Sequence, residues 1–112
     1  MSELGQITRS FDKSLELVRQ KFVARLETQV ADLDELMWRI EDNPADAPSI
    51  DAATNIVHKI AGVAPTLGLT EIGTLAREAE SALMALGRGP SAANLTGTTA
   101  AVERLSEQLD QI

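Results

Sequence analysis

The sequence predicts an all-α fold, an antiparallel up-down four-helix bundle, and three observations carry the prediction. Apolar residues recur at spacings of three and four along four separate segments, as they do on helices that bury one face. Glycine and proline punctuate the gaps between these segments, at Pro44 and Pro48, at Gly68, and at Gly87, Gly89 and Pro90. No segment alternates with period two, so no sheet is expected. Short connections between amphipathic helices favour antiparallel neighbours. The 112 residues suit one domain, 1–112, and aromatics are only 3%, so alanine and leucine must build the core.

The first helix is predicted over residues 12–42. Its stripe is Phe11, Leu15, Val18, Phe22, Leu26, Val30, Leu33, Met37 and Ile40, with Ser10 or Asp12 as its cap. Residues 1–10 are weakly patterned, and Leu4 and Ile7 suit at most a short helical turn. Pro44 disfavours helix at Asn43 and ends the segment. The second helix is predicted over 50–67, capped by Ser49, with Ala53, Ile56, Val57, Ile60, Ala64 and Leu67 inward and Gly68 as the left-handed terminator. Pro65 falls in its last turn, where it removes a hydrogen bond and predicts a kink or fraying. The third helix is predicted over 70–87, capped by Thr70, with Ile72, Leu75, Ala76, Ala79, Leu83 and Leu86 inward. The fourth is predicted over 92–111, capped by Ser91, with Leu95, Val102, Leu105, Leu109 and Ile112 inward; Gly97 moves its expected start toward Thr98.

Composition excludes several chemistries. There is no cysteine, hence no disulfide, thiol catalysis or cysteine zinc site. The formal net charge of −7 argues against nucleic acid as a partner, because phosphate backbones demand clustered cations. The start lacks the apolar core of a signal peptide and no apolar run reaches membrane-spanning length. The expectation is a cytoplasmic, monomeric protein that does not engage the membrane. The carboxylates Glu27, Asp32, Asp34, Glu35, Glu41 and Asp42 read as a solvated helix face, since a di-metal bundle needs Glu-x-x-His units that this chain lacks.

His58 is the one histidine. On a helical wheel it falls about 140° from the centre of the second helix's apolar stripe, and Gly62 about 180° from it. A lone exposed histidine is ordinarily a plain surface residue. Here its neighbours argue otherwise. Gly62 lies one turn beyond it on the same face, where a glycine costs about 1 kcal/mol relative to alanine, so an open approach to the ring is a reason for it. Lys59 places an ammonium on the adjacent helix position. A neutral imidazole is a nitrogen nucleophile, and a nearby cation stabilises charge on a transferring phosphoryl group. An open imidazole beside a cation is therefore a candidate phosphoryl acceptor. No P-loop or kinase glycine loop accompanies it.

These residues resemble a known family. His58-Lys59-Ile60-Ala61-Gly62, then Ala64, Gly68, Ile72, Leu75 and Glu80, are similar to the histidine-containing phosphotransfer (HPt) domain, whose usual pattern runs His-x-Leu-Lys-Gly-x-Ala, a glycine ten after the histidine, then spaced leucines ending in Leu-Glu. The flanking helices extend the resemblance over nearly the whole chain. It implies a four-helix bundle whose exposed histidine shuttles phosphoryl groups between receiver-domain aspartates of a bacterial-type two-component phosphorelay. By it His58 is the phosphoacceptor, Gly62 the clearance residue for the partner, and Lys59 a candidate for phosphate stabilisation. The partners implied are response-regulator receiver domains and a sensor histidine kinase. The domain would be a phosphocarrier without its own ATP site or cofactor, with Mg²⁺ supplied on the receiver. Two positions depart from the pattern: the common lysine is Ala61, and Ala79 replaces the leucine before Glu80.

A stand-alone carrier is expected rather than the phosphoacceptor domain of a larger kinase, since no further domain appears in the sequence. The rival from a different class is a non-catalytic HPt-like adaptor, and Ala61 is the feature that sustains it. Trp38, the single tryptophan, lies off the first helix's main stripe. Two readings stand: packing against residues 1–10 or along the bundle, or, since helix lengths place it about one turn from the level of His58, an apolar docking patch beside that histidine.

Overall fold

The computed structural model describes the backbone of residues 2–112 and the side chains of residues 12–112. Four helices follow in order: α1 (Ser2–Asp42), α2 (Ala47–Val63), α3 (Thr70–Arg88) and α4 (Ala92–Leu109), with a 3₁₀ turn at Ala64–Leu67 between α2 and α3. Among the described residues there is no strand. The predicted all-α bundle is the observed one.

α1 departs most from its predicted bounds. It runs without a break through Ser10 and Asp12, so neither is its cap, and residues 2–10 continue the helix rather than forming a separate turn. The packing expected of Leu4, Ile7 and Phe11 lies outside the described side chains. A helix of 41 residues is roughly 62 Å long, which matches the longest dimension of the molecule, 62 Å against 22 and 20 Å. The other three helices are less than half that length, so the first part of α1 projects beyond the bundle. The stripe is on the right face but begins too early. Leu15 and Val18, expected in the core, are 43% and 53% exposed: Val18 borders only the end of α2, in a groove with Lys59 and Val63, and Leu15 lies about one turn further along α1. The core begins at Phe22 and continues through Leu26, Leu33, Met37 and Ile40.

α2 starts three residues earlier than predicted, and its cap is Asp46 rather than Ser49. An Asp46 carboxylate oxygen accepts the Ser49 backbone N–H at 3.3 Å, and the buried Ser49 hydroxyl donates to the other oxygen at 2.7 Å. Pro48 is tolerated because first-turn N–H groups have no helical acceptor. The α-helical part ends at Val63, four residues before its predicted end, and Pro65 sits in the 3₁₀ turn that replaces the last turn. Gly68 closes it at φ 78°, the left-handed conformation expected of it. Its N–H donates to the Pro65 carbonyl at 3.1 Å, and the Leu69 N–H reaches the Ala64 carbonyl at 2.9 Å.

Thr70 is the first residue of α3 rather than its cap; Leu69 precedes it without a side-chain cap. Ser91 does cap α4, accepting the Asn94 N–H at 3.1 Å. α4 begins at Ala92 and not near Thr98, despite Gly97, because its first turns are tied to α3. Asn94 donates to the Gly89 carbonyl at 2.7 Å, and the fully buried Thr98 hydroxyl lies 3.1 Å from the Ala82 carbonyl. Ile112, predicted inward, is past the end of α4 and exposed.

The bundle centre is Leu33 and Ile40 of α1, Val57 and Ile60 of α2, Leu83 and Leu86 of α3, and Leu105 of α4, all fully buried. α2 packs most extensively on α3 and α3 on α4, while α1 meets α2 more closely than it meets α4. The α2–α3 face and the α1–α4 face are therefore opposite sides of the molecule.

Candidate functional site on the α2–α3 seam

Three contacts set the antiparallel register of α2 on α3. Ile50 lies over Gly87, where an added Cβ would be 3.6 Å from Ile50 Cγ2. His58 meets Glu80, and Pro65 lies on Gly73. The last contact is tight: a Cβ on Gly73 would fall 2.8 Å from Pro65 Cγ and 3.0 Å from Cδ. The proline that shortens α2 is thus seated against the one α3 position without a side chain at that level. Its role is structural, as the sequence reading had it.

His58 is exposed, with 71% of its side chain open to solvent. Its Nδ1 is 2.5 Å from Glu80 Oε2, and the glutamate itself is mostly covered, 23% exposed. An ionised carboxylate only accepts, so Nδ1–H is the donor and the pair holds that tautomer. Nε2 is then the ring's lone-pair nitrogen. Glu80 was legible only as the end of a motif; the contact spans 22 residues of sequence, so only helix pairing reveals it.

Gly62 is exposed one turn beyond His58, and an added Cβ would meet nothing within 4 Å. Packing gives no reason for this glycine. Lys59 is exposed, but it lines the grooves between α1 and α2, alongside Asp32 and Glu35 in one and Lys21 and Arg25 in the other. It sits on the flank away from α3, whereas the ring leans on α3. The structure brings His58, Gly62 and Glu80 together and leaves Lys59 to the side.

A second cation lies on the other flank. The register places Arg77 level with Ala61, and Arg77 is one turn before Glu80 on α3, exposed. Met84, one turn after Glu80, is 49% exposed. Sequence reading missed Arg77 because it is 19 residues from His58; only the pairing of α2 with α3 puts it at the level of the missing lysine.

Trp38 is 80% exposed and lines a groove of about 500 Å³ between α1 and α4. That is the face opposite His58, so it forms no docking patch beside the histidine. Nor does it pack against the N-terminal segment, since Ser10 and Trp38 lie roughly 42 Å apart on one continuous helix. Among the described residues no helix is long and apolar enough to cross a membrane.

Comparison with known families places the chain. The family model described as Hpt domain matches residues 17–112, which takes in all of the bundle and leaves out the projecting start of α1. A search of the curated proteins matched none.

Proposed function

The chain belongs to the Hpt domain family, which implies a phosphotransfer role in phosphorelay signalling, and from that premise we propose that it is a stand-alone phosphocarrier using His58. The observation that carries the reading is the His58–Glu80 pair: one ring nitrogen is committed to a carboxylate, and the other is left open on a face cleared by Gly62.

In the proposed transfer, Nε2 attacks the phosphorus of an aspartyl phosphate on a receiver domain. An N–P bond forms, the acyl O–P bond breaks, and the aspartate carboxylate leaves. The ring gains positive charge as it does so. Glu80, accepting from Nδ1–H, stabilises that charge and keeps the ring from rotating. The reverse step delivers the phosphoryl group to another receiver. Mg²⁺ and most of the stabilisation of the transferring group belong to the receiver, with a sensor histidine kinase upstream. The carrier provides the nucleophile and the docking face.

Ala61 supports the rival adaptor reading. Arg77 at the same level weakens it, since it returns a cation to this face from the neighbouring helix. A role for Lys59 in phosphate stabilisation has less support, because its flank faces α1. The test is incubation with phosphorylated receiver domains, followed by assay for acid-labile, base-stable phosphate. The wild type is expected to take up phosphate and His58→Gln none, with the helical signal unchanged since the position is exposed. Uptake by His58→Gln would leave the carrier reading without its nucleophile.

A further inference from the structure

We propose that the groove between α1 and the end of α2 selects the receiver domain, with Lys21, Arg25 and Lys59 meeting an acidic border around its aspartyl phosphate. The inference rests on the phosphocarrier reading and adds to it the surface that chooses the partner. The groove has a volume of about 340 Å³. Its charged lining is Lys21, Arg25 and Lys59, all exposed, and no carboxylate lines it. The chain carries seventeen acidic and ten basic side chains, so three cations with no carboxylate among them run against the composition. Among the described residues none of the three makes an ion pair, so the fold does not neutralise them. Asp32 and Glu35 line the next groove along α1, and the cationic stretch ends there at Lys59.

The groove is continuous with the histidine face. Lys59 and Val63 line it from α2 and form one row on that helix, and His58 and Gly62 form the row beside it. A partner that uses the clearance over Gly62 to reach the ring therefore borders the groove directly. A standard interface covers about 800 Å² on each partner, a patch roughly 32 Å across. Packed helices lie about 8–10 Å apart. A patch of that size centred on His58 cannot stay on α2, and it takes in the facing side of α1.

The charge of the occupant follows from its chemistry. An aspartyl phosphate is anionic, and the Mg²⁺ that assists its transfer is held by oxygen ligands, carboxylates among them. The receiver thus presents negative charge around the atom that must reach His58. Three cations beside that ring attract such a face and steer its approach, while the carboxylates elsewhere on this molecule repel it. Lys59, which lies away from the α3 edge of the ring, then contacts the partner rather than the transferring phosphoryl group.

The test is phosphoryl transfer to the full chain from a phosphorylated receiver domain that the uptake assay shows to be a donor, measured against receiver concentration. The variant is Lys21→Glu with Arg25→Glu, since both positions lie on α1 and neither adjoins His58. Both are exposed, so helicity should be unchanged. In about 50 mM salt the half-saturating receiver concentration should rise about tenfold or more, with the maximal rate within about twofold of wild type, as expected of lost docking rather than lost chemistry. In about 0.5 M salt the gap should narrow, because exposed charges are screened. Lys21→Arg with Arg25→Lys keeps the charges and should behave as the wild type. Arg104→Glu, exposed on α4, controls for net charge and should leave the half-saturating concentration unchanged. A double variant with the wild-type half-saturating concentration overturns the proposal. So does an equal rise in Arg104→Glu, or a loss confined to the maximal rate. Those outcomes leave the phosphocarrier reading standing, whereas a wild type that takes phosphate from no receiver removes that reading and this proposal with it.

Discussion

His58 and Glu80 join α2 to α3 through a 2.5 Å contact between Nδ1 and Oε2, leaving one edge of the imidazole held and the other in solvent. Glu80→Ala frees the ring to rotate and removes the partner for its developing charge. Phosphoryl uptake is expected to slow by one to two orders of magnitude, ~1.4–2.7 kcal/mol in the barrier. Glu80→Gln keeps an acceptor and loses the charge, so it should fall between Ala and wild type. Melting temperatures should hardly move, because pairs that reach solvent contribute about 0–1 kcal/mol. Uptake at the wild-type rate by Glu80→Ala would remove Glu80 from the mechanism.

Gly62 separates stability from function. A side chain there meets no protein atom, and nearly every residue is a better helix former than glycine. Gly62→Gln is expected to hold or raise the melting temperature while obstructing the receiver and slowing transfer. If transfer continued at the wild-type rate, clearance would not be the reason for the glycine.

Gly73 is the opposite case. Alanine there brings its Cβ within 2.8 Å of a proline ring that has little freedom to move. Gly73→Ala should destabilise by about 1–3 kcal/mol, as overpacking does, despite alanine's better helix propensity. Thermal unfolding is the measurement. Unchanged or increased stability would mean that the α2–α3 seam yields easily at Pro65.

Arg77 and Lys59 offer competing sources of positive charge. If the cation level with Ala61 is the useful one, Arg77→Ala should slow phosphoryl uptake about tenfold, ~1.4 kcal/mol, and Lys59→Ala should leave it nearly unchanged. Equal small effects would assign the stabilisation to the receiver and its metal ion.

Periodicity and punctuation were sufficient for much of this molecule. The stripes of all four helices, the left-handed Gly68, the Ser91 cap and the outward face bearing His58 and Gly62 are local properties, set by the 100° turn per residue and by what glycine and serine do at helix ends. What the sequence could not contain is the relation between elements. A stripe states which face of α1 is apolar, not how far the other helices reach, so Leu15 and Val18 carry the core pattern and yet lie in solvent. The Asp46 cap is also local, made with Ser49 three residues on, but the sequence offers Ser49 itself as an equally good cap and does not choose between them. Glu80 and Arg77 belong to the site only because α3 pairs with α2 in one register, and Trp38 leaves it only because α1 meets α4 on the far side. Local propensity decided the helices; the packing of side chains distant in sequence decided which of their residues share a surface.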